Sequence, residues 1–171
     1  MQRLAKLIRA IPDFPEPGVT FRDLTPLFQS PSGMRLAVHQ LLHPFLGSNI
    51  TAVAGIEARG FIFGSLVAAE LAVGFVPLRK QGKLPLETHS AAYDLEYGSN
   101  SLELHIDALS EGDEVLLVDD LIATGGTARA SCDLIERAGA RVAGAAFVVE
   151  LVALNGRTAM PDMDIHTLLK Y

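Results

Sequence analysis

Two adjacent acids, Asp119 and Asp120, stand just before Ala123-Thr124-Gly125-Gly126-Thr127. Paired glycines let a backbone turn sharply and bring its amides close to a ligand. Where such a turn opens a helix, the amides sit at a helix N-terminus, whose dipole favours an anion. Thr124 and Thr127 add hydroxyl donors. The natural guest is a phosphate. The acids repel phosphate, but they accept hydrogen bonds from sugar hydroxyls or hold a metal ion. A phosphate pocket beside a diol pocket describes ribose 5-phosphate. Two other phosphate signatures fit badly. A Walker loop ends in Gly-Lys-Ser/Thr, whereas Gly126 is followed by Thr127. The G-x-G-x-x-G of dinucleotide folds is absent. A plain capped turn, with Asp and Thr only as turn formers, leaves the coincidence of these features unexplained.

Other charged or aromatic groups cluster at similar junctions. Glu57-Ala58-Arg59-Gly60 closes an apolar run, and Arg59 there suits a diphosphate. The simpler alternative is a surface ion pair between Glu57 and Arg59, worth little. Two such turns on one sheet edge favour the anion site. Arg79-Lys80-Gln81-Gly82-Lys83 is a cationic patch in an acidic protein. It is either a solvated loop or a second approach to a diphosphate, from this subunit or a neighbour. Phe21, followed by Arg22 and Asp23, offers a flat face to a planar base, or else belongs to an arm tucked onto the core. Glu96 and Tyr97 bring a carboxyl and a phenol to the tip of a polar stretch. His39 and His43 have metal-compatible spacing, but no glutamate accompanies them and Pro44 follows, so they read as surface or packing residues.

The elements that must position these groups alternate between strand and helix. Val115–Val118 is a short apolar run without alternation, as in a strand buried on both faces of a parallel sheet. A helix is expected from about Thr127 to Ala138, with Gly139 as its stop. Ile50–Ile56, Phe75–Leu78 and Val142–Val149 read as further buried strands, and residues 61–72 as a helix. Residues 32–46 read as a helix capped by Ser30 or Ser32. Met1–Arg9 reads as a short amphipathic helix. Prolines 12, 15, 17 and 26 argue against regular structure over Ile11–Phe28. Leu84–Asn100 lacks a clean period and reads as a long loop, more often a functional lid than an accident. Ser101–Ile106 alternates as a half-exposed antiparallel strand, and Ile165–Leu169 adds an edge strand.

The whole chain sets further bounds. Its 171 residues suffice for one domain with a substantial core, and 49% of them are hydrophobic. A net charge of −6 argues against nucleic acid as the main partner. The lone Cys132 forms no internal disulfide and fits a reducing compartment. No apolar run reaches membrane-spanning length, and no signal-peptide core opens the chain. A cytoplasmic protein without membrane partners is expected.

Several segments together closely resemble the adenine phosphoribosyltransferase family, within the type I phosphoribosyltransferases. They are Phe14-Pro15-x-Pro17-Gly18 with Phe21-Arg22-Asp23, Glu57-Ala58-Arg59-Gly60-Phe61, Arg79-Lys80 with Gly82-Lys83-Leu84-Pro85, Tyr93 to Gly98, and Asp119 to Thr127. The resemblance runs from near the N-terminus to about Gly156. It implies an α/β fold with a mostly parallel central sheet flanked by helices, a hood (about 10–30) and a flexible catalytic loop (about 80–100). It also implies that adenine and phosphoribosyl diphosphate (PRPP) give AMP and diphosphate, with Mg²⁺ carried by PRPP and no protein metal site assigned. By that resemblance Asp119 and Asp120 face the ribose hydroxyls, and Ala123, Thr124, Gly125, Gly126 and Thr127 wrap the 5-phosphate. Phe21 and Leu151 sandwich adenine, while Thr20 and Arg22 read its edge. Arg59, Arg79, Lys80 and Lys83 meet the diphosphate. Glu96, beside Tyr97 in the closing loop, handles the purine proton, and the protein is a homodimer. The rival readings are a 6-oxopurine or orotate phosphoribosyltransferase, which would lack the Phe21 arm, and a PRPP-sensing regulator, which would need a DNA-binding extension.

Overall fold

The apolar run Val115–Val118 lacks alternation because both of its faces are covered. In the computed structural model, which describes residues 2–94 and 99–171, Val115 and Leu117 pack on one side of a seven-stranded sheet. Leu116 and Val118 pack on the other. In chain order the elements are α1 (Gln2–Ala5), β1 (Arg9–Pro12), β2 (Thr20–Asp23), α2 (Thr25–Phe28), α3 (Pro31–Leu42), β3 (Ala52–Ile56), α4 (Gly60–Leu71), β4 (Gly74–Lys80), β5 (Thr88–Asp94), β6 (Ser99–His105), β7 (Glu114–Ile122), α5 (Gly126–Arg137), β8 (Arg141–Glu150) and β9 (Ile165–Lys170).

The sheet runs β5-β6-β4-β3-β7-β8-β9. Strands β4, β3, β7, β8 and β9 are mutually parallel, and β6 and β5 add an antiparallel edge. The expected mostly parallel sheet is therefore present. Helix α5 buries Cys132, Leu134 and Ile135 in the core on one face. Helices α3 and α4 cover the other with Val38, Leu41, Phe63 and Val67. Register then decides where function can sit. Ile56 lies opposite Leu78, and Gly55 opposite Val118. The carboxyl ends of three adjacent strands thus reach one edge, where ligands of open α/β sheets bind.

Local sequence accounts for the helix starts. Ser30 caps α3, its Oγ accepting from the Gly33 amide at 3.1 Å, and Pro31 occupies the first turn where no amide partner is needed. The helix ends before Pro44, in a short 3₁₀ turn over His43–Phe45.

Three expectations are corrected. The N-terminal helix stops at Ala5, and Arg9–Pro12 is a strand. The proline-rich segment is partly regular: β1 and β2 form an antiparallel ribbon, followed by α2. Prolines are tolerated because this ribbon is two-stranded and all edge. The stretch 84–100, expected to be a loop, contains β5, paired with β6 from Thr88 opposite His105 onward. Its sequence Thr-His-Ser-Ala-Ala-Tyr-Asp shows little alternation, since ladder hydrogen bonds and a bond from Arg137 Nη1 to the Ser90 carbonyl at 2.8 Å hold it.

Candidate functional site

The turn after β7 is built for an anion. Gly125 caps α5 with φ +85°, a left-handed conformation that glycine adopts without penalty. The first-turn amides of α5 have no intrahelical acceptor and point into the turn. Asp119, Ala123, Thr124, Gly125 and Thr127 line one cavity of about 130 Å³ there, with Phe147 among the other lining residues. Of the residues expected to wrap a 5-phosphate, the structure brings all but Gly126 to this cavity wall, and Gly126 is the first residue of α5.

The two acids do different things. Strand β7 continues through Ile122, beyond the apolar run, so Asp119 and Asp120 are strand residues. Asp119 lines the cavity, while Asp120 is buried beside Arg59, whose Nε lies 2.9 Å from Oδ2. That contact lacks hydrogen-bond geometry, and Oδ2 finds no hydrogen-bond partner among the described residues. Burial first, and then the neighbouring Asp120 carboxylate, raises the Asp119 pKa well above the ordinary 3.8. Burial also raises Asp120, opposed chiefly by Arg59. The carboxylate of Asp119 sits against the start of α4. A Cβ at Gly60 would come within 2.7 Å of Asp119 Oδ1 and 3.0 Å of the Val118 carbonyl, so glycine there is what allows the approach.

The second and third turns interlock with the first. Glu57 and Arg59 do not pair with each other. Glu57 takes Arg79 (Nε to Oε2, 3.3 Å) and the Lys80 amide (3.0 Å), and Arg79 Nη1 also donates to the Lys83 carbonyl at 2.9 Å. The amide bond leads the causes that hold the Glu57 carboxyl below its ordinary range, against the opposing effect of burial. Arg79 is thus fixed at the root of the cationic turn, with Lys80 and Lys83 exposed beyond it.

On the arm, Phe21 meets Phe14 edge-on at 5.4 Å, and the Arg59 guanidinium lies 5.7 Å from the Phe21 ring centre. Thr20 is exposed at the start of β2. Arg22 stacks on the ring of Tyr171, 3.9 Å from its centre. Leu151 is half-buried, and its amide donates to the Ile122 carbonyl at 3.0 Å, immediately before the phosphate turn. Arg59 therefore touches both the acid pair and the aromatic arm. Glu96 and Tyr97 lie outside the described residues.

Residues 32–170 match the family model described as phosphoribosyl transferase domain. Over all 171 residues the chain is 65% identical to the adenine phosphoribosyltransferase of Nitrosococcus oceani, each chain being covered in full. The chain belongs to the adenine phosphoribosyltransferase family. Among solved members of that family, the Rhodothermus marinus protein matches with a TM-score of 0.94 at 51% identity, covering 99% of this chain and 97% of that one. The Saccharomyces cerevisiae member, solved with an imino-altritol bisphosphate and adenine, matches at 0.93 and 39% identity, covering 98% and 97%.

Sequence reasoning on this adenine phosphoribosyltransferase family member missed Gly60, Tyr171 and Gly156, whose carbonyl oxygen would lie 2.2 Å from a Cβ on Gly125. Gly60 was visible as part of the Glu57–Phe61 segment, without its role. Gly156 and Tyr171 act through tertiary contact alone, and no local pattern marks them.

Proposed function

We propose that this chain transfers the 5-phosphoribosyl group of PRPP to N9 of adenine, giving AMP and diphosphate, and that the edge formed by β3, β4 and β7 does it. The observation that carries the reading is one cavity lined by both the Gly125 turn and the Asp119 carboxylate. A phosphate held by first-turn amides places the attached ribose against the acid. Departure of diphosphate leaves positive charge on that ribose, and a fixed carboxylate beside it stabilises the charge more as it develops. Arg59, Arg79, Lys80 and Lys83 face the leaving group, with Glu57 setting the position of Arg79. Phe21 and Leu151 bracket the base, with Thr20 and Arg22 at its edge.

Hard oxygen ligands fit Mg²⁺, while the buried Asp120 carboxylate is already paired with Arg59, 2.9 Å from its Oδ2. The ion is read as carried in by the substrate's own oxygens. When bound, Mg²⁺ neutralises charge on the diphosphate.

The hood of about 10–30 and the segment of about 80–100 close over the base and exclude water from the activated sugar. Glu96 accepts or returns the purine proton, beside Tyr97. Glu96→Gln then lowers kcat by about 10²-fold with adenine binding retained, and calorimetry alongside turnover separates the two. Unchanged turnover removes Glu96 from the chemistry. We also read the protein as a cytoplasmic homodimer; Ile62 and Leu66, one turn apart on α4 and both exposed, suit an interface. No helix among the described residues is long and apolar enough to cross a membrane.

The direct test is AMP formation from adenine, PRPP and Mg²⁺, compared with hypoxanthine, guanine and orotate. Adenine alone reacts at an appreciable rate. Turnover of another base without adenine would replace this reading with one of its rivals.

A further inference from the structure

Glu150 ends β8, is buried, and gathers an unusual number of donors. Arg157 grips it with both prongs, Nε to Oε1 at 2.8 Å and Nη2 to Oε2 at 2.9 Å. Thr167 Oγ1 donates to Oε2 at 2.7 Å, and Lys170 Nζ lies 3.9 Å away. Arg157 also donates through Nη1 to the Ile165 carbonyl at 2.8 Å and through Nη2 to Thr167 Oγ1 at 3.2 Å. The guanidinium is thereby fixed to two strands, β8 and β9. The Arg157 bonds, followed after burial's opposing effect by the Thr167 bond, bring the Glu150 pKa down to about 2, so the pair stays ionised at any ordinary assay pH.

What this grip holds is the chain just before it. Gly156 abuts the phosphate turn from below. A Cβ on Gly125 would lie 2.2 Å from the Gly156 carbonyl oxygen, and a Cβ on Gly156 would lie 2.3 Å from the Ala123 carbonyl oxygen. The two backbones are in van der Waals contact at both ends of the turn, with no side chain between them. Gly156 follows Asn155, which is itself left-handed at φ +53°, and precedes Arg157 directly. Leu151, the residue after Glu150, is tied to Ile122 through its own backbone bond.

We propose, resting on the phosphoribosyl-transfer reading above, that Arg157 is a positioning residue for the phosphate turn, holding Gly156 as the floor that sets the height of the Ala123–Gly125 backbone. Arg157 touches no substrate. Its removal lets the floor drop and the turn relax, so the cost falls on the phosphorylated sugar and not on the base.

The test uses the full chain. Arg157→Gln and Arg157→Lys are assayed for KM of both substrates, kcat, thermal midpoint, and calorimetric binding of ribose 5-phosphate. For Arg157→Gln, KM for PRPP and Kd for ribose 5-phosphate rise about tenfold, while KM for adenine stays within about twofold. Arg157→Lys keeps the charge but not the two-pronged fork, and falls between. A lowered midpoint with both KM values unchanged overturns the proposal, as does an equal rise in both. If Arg157→Gln fails to fold, Thr167→Val removes one bond to Glu150 and raises KM for PRPP about threefold with adenine unaffected; no selective rise overturns the proposal. Wild-type protein without adenine turnover would defeat the functional reading instead, and ribose 5-phosphate binding would still report on Arg157.

Discussion

Asp119→Asn is expected to lower kcat by about 10²–10³-fold and at the same time to make the protein harder to melt at pH 7. Asparagine keeps the shape and can still bond a sugar hydroxyl, so KM for PRPP changes by less than about fivefold. What is lost is the fixed negative charge beside the ribose as diphosphate leaves. The stability gain has a separate cause. Burial and the Asp120 charge raise the Asp119 pKa in the fold, so the fold prefers the protonated acid. That preference contributes stability that is fully present below the ordinary 3.8 and is lost as pH rises through the raised folded value. At pH 7 the buried acid therefore weighs against the native state, and a neutral amide relieves it. A rise of about 2–4 °C is expected at pH 7, shrinking to nothing once pH falls below the ordinary carboxylate range. Scanning calorimetry across pH checks the sign. A lower midpoint at pH 7, or a kcat within threefold of wild type, would show that the carboxylate serves packing and not the developing charge. Asp120→Asn differs, because it strips Arg59 of its partner while leaving the cavity-facing acid in place.

The contrast between these two acids was beyond reach of the sequence. Their adjacency was plain, as was the glycine turn that follows, because both are local and their spacing is short. Strand β7 runs on to Ile122, and the division of labour between the acids comes from their tertiary neighbours, the cavity of the phosphate turn for Asp119 and Arg59 for Asp120. The apolar run could not announce that extension, since the strand continues through polar residues. The three turns on one edge were foreseeable from the order of apolar runs, yet their pairing was not. Glu57 chooses Arg79 over Arg59 because β3 and β4 are neighbours in register, placing Ile56 opposite Leu78 and so the residues after them side by side. Prolines hid the β1–β2 ribbon, since sequence rules treat them as breakers and do not distinguish an isolated ribbon from a sheet interior. Small and polar residues hid β5. The stacking of Arg22 on Tyr171 joins opposite ends of the chain, and no periodicity encodes it.

Gly125→Ala should be the most damaging single-methyl change in the molecule. Two penalties coincide there. Alanine at φ +85° carries a left-handed backbone cost of roughly 1–2 kcal/mol. The new Cβ also lands 2.2 Å from the Gly156 carbonyl oxygen and 2.9 Å from Ala159 Cβ, so backbone has to move. Gly156 cannot retreat easily from the turn, because the next residue, Arg157, is tied to β8 and β9. The phosphate turn yields instead, carrying its amides away from the phosphate. A shift of about 1 Å there is expected to raise KM for PRPP by about 10²-fold or more and to cut kcat as the ribose loses its alignment with Asp119. Gly112→Ala supplies the control. Gly112 has φ +92° and nothing within 4 Å of its added Cβ, so it incurs the backbone strain without the collision. Its variant should lose a few degrees of thermal stability and keep both KM values. Comparing the two by steady-state kinetics and calorimetry isolates the collision. Equal losses of stability with equal kinetics would mean that the turn tolerates displacement, and that the close approach of Gly125 to Gly156 contributes nothing to holding phosphate.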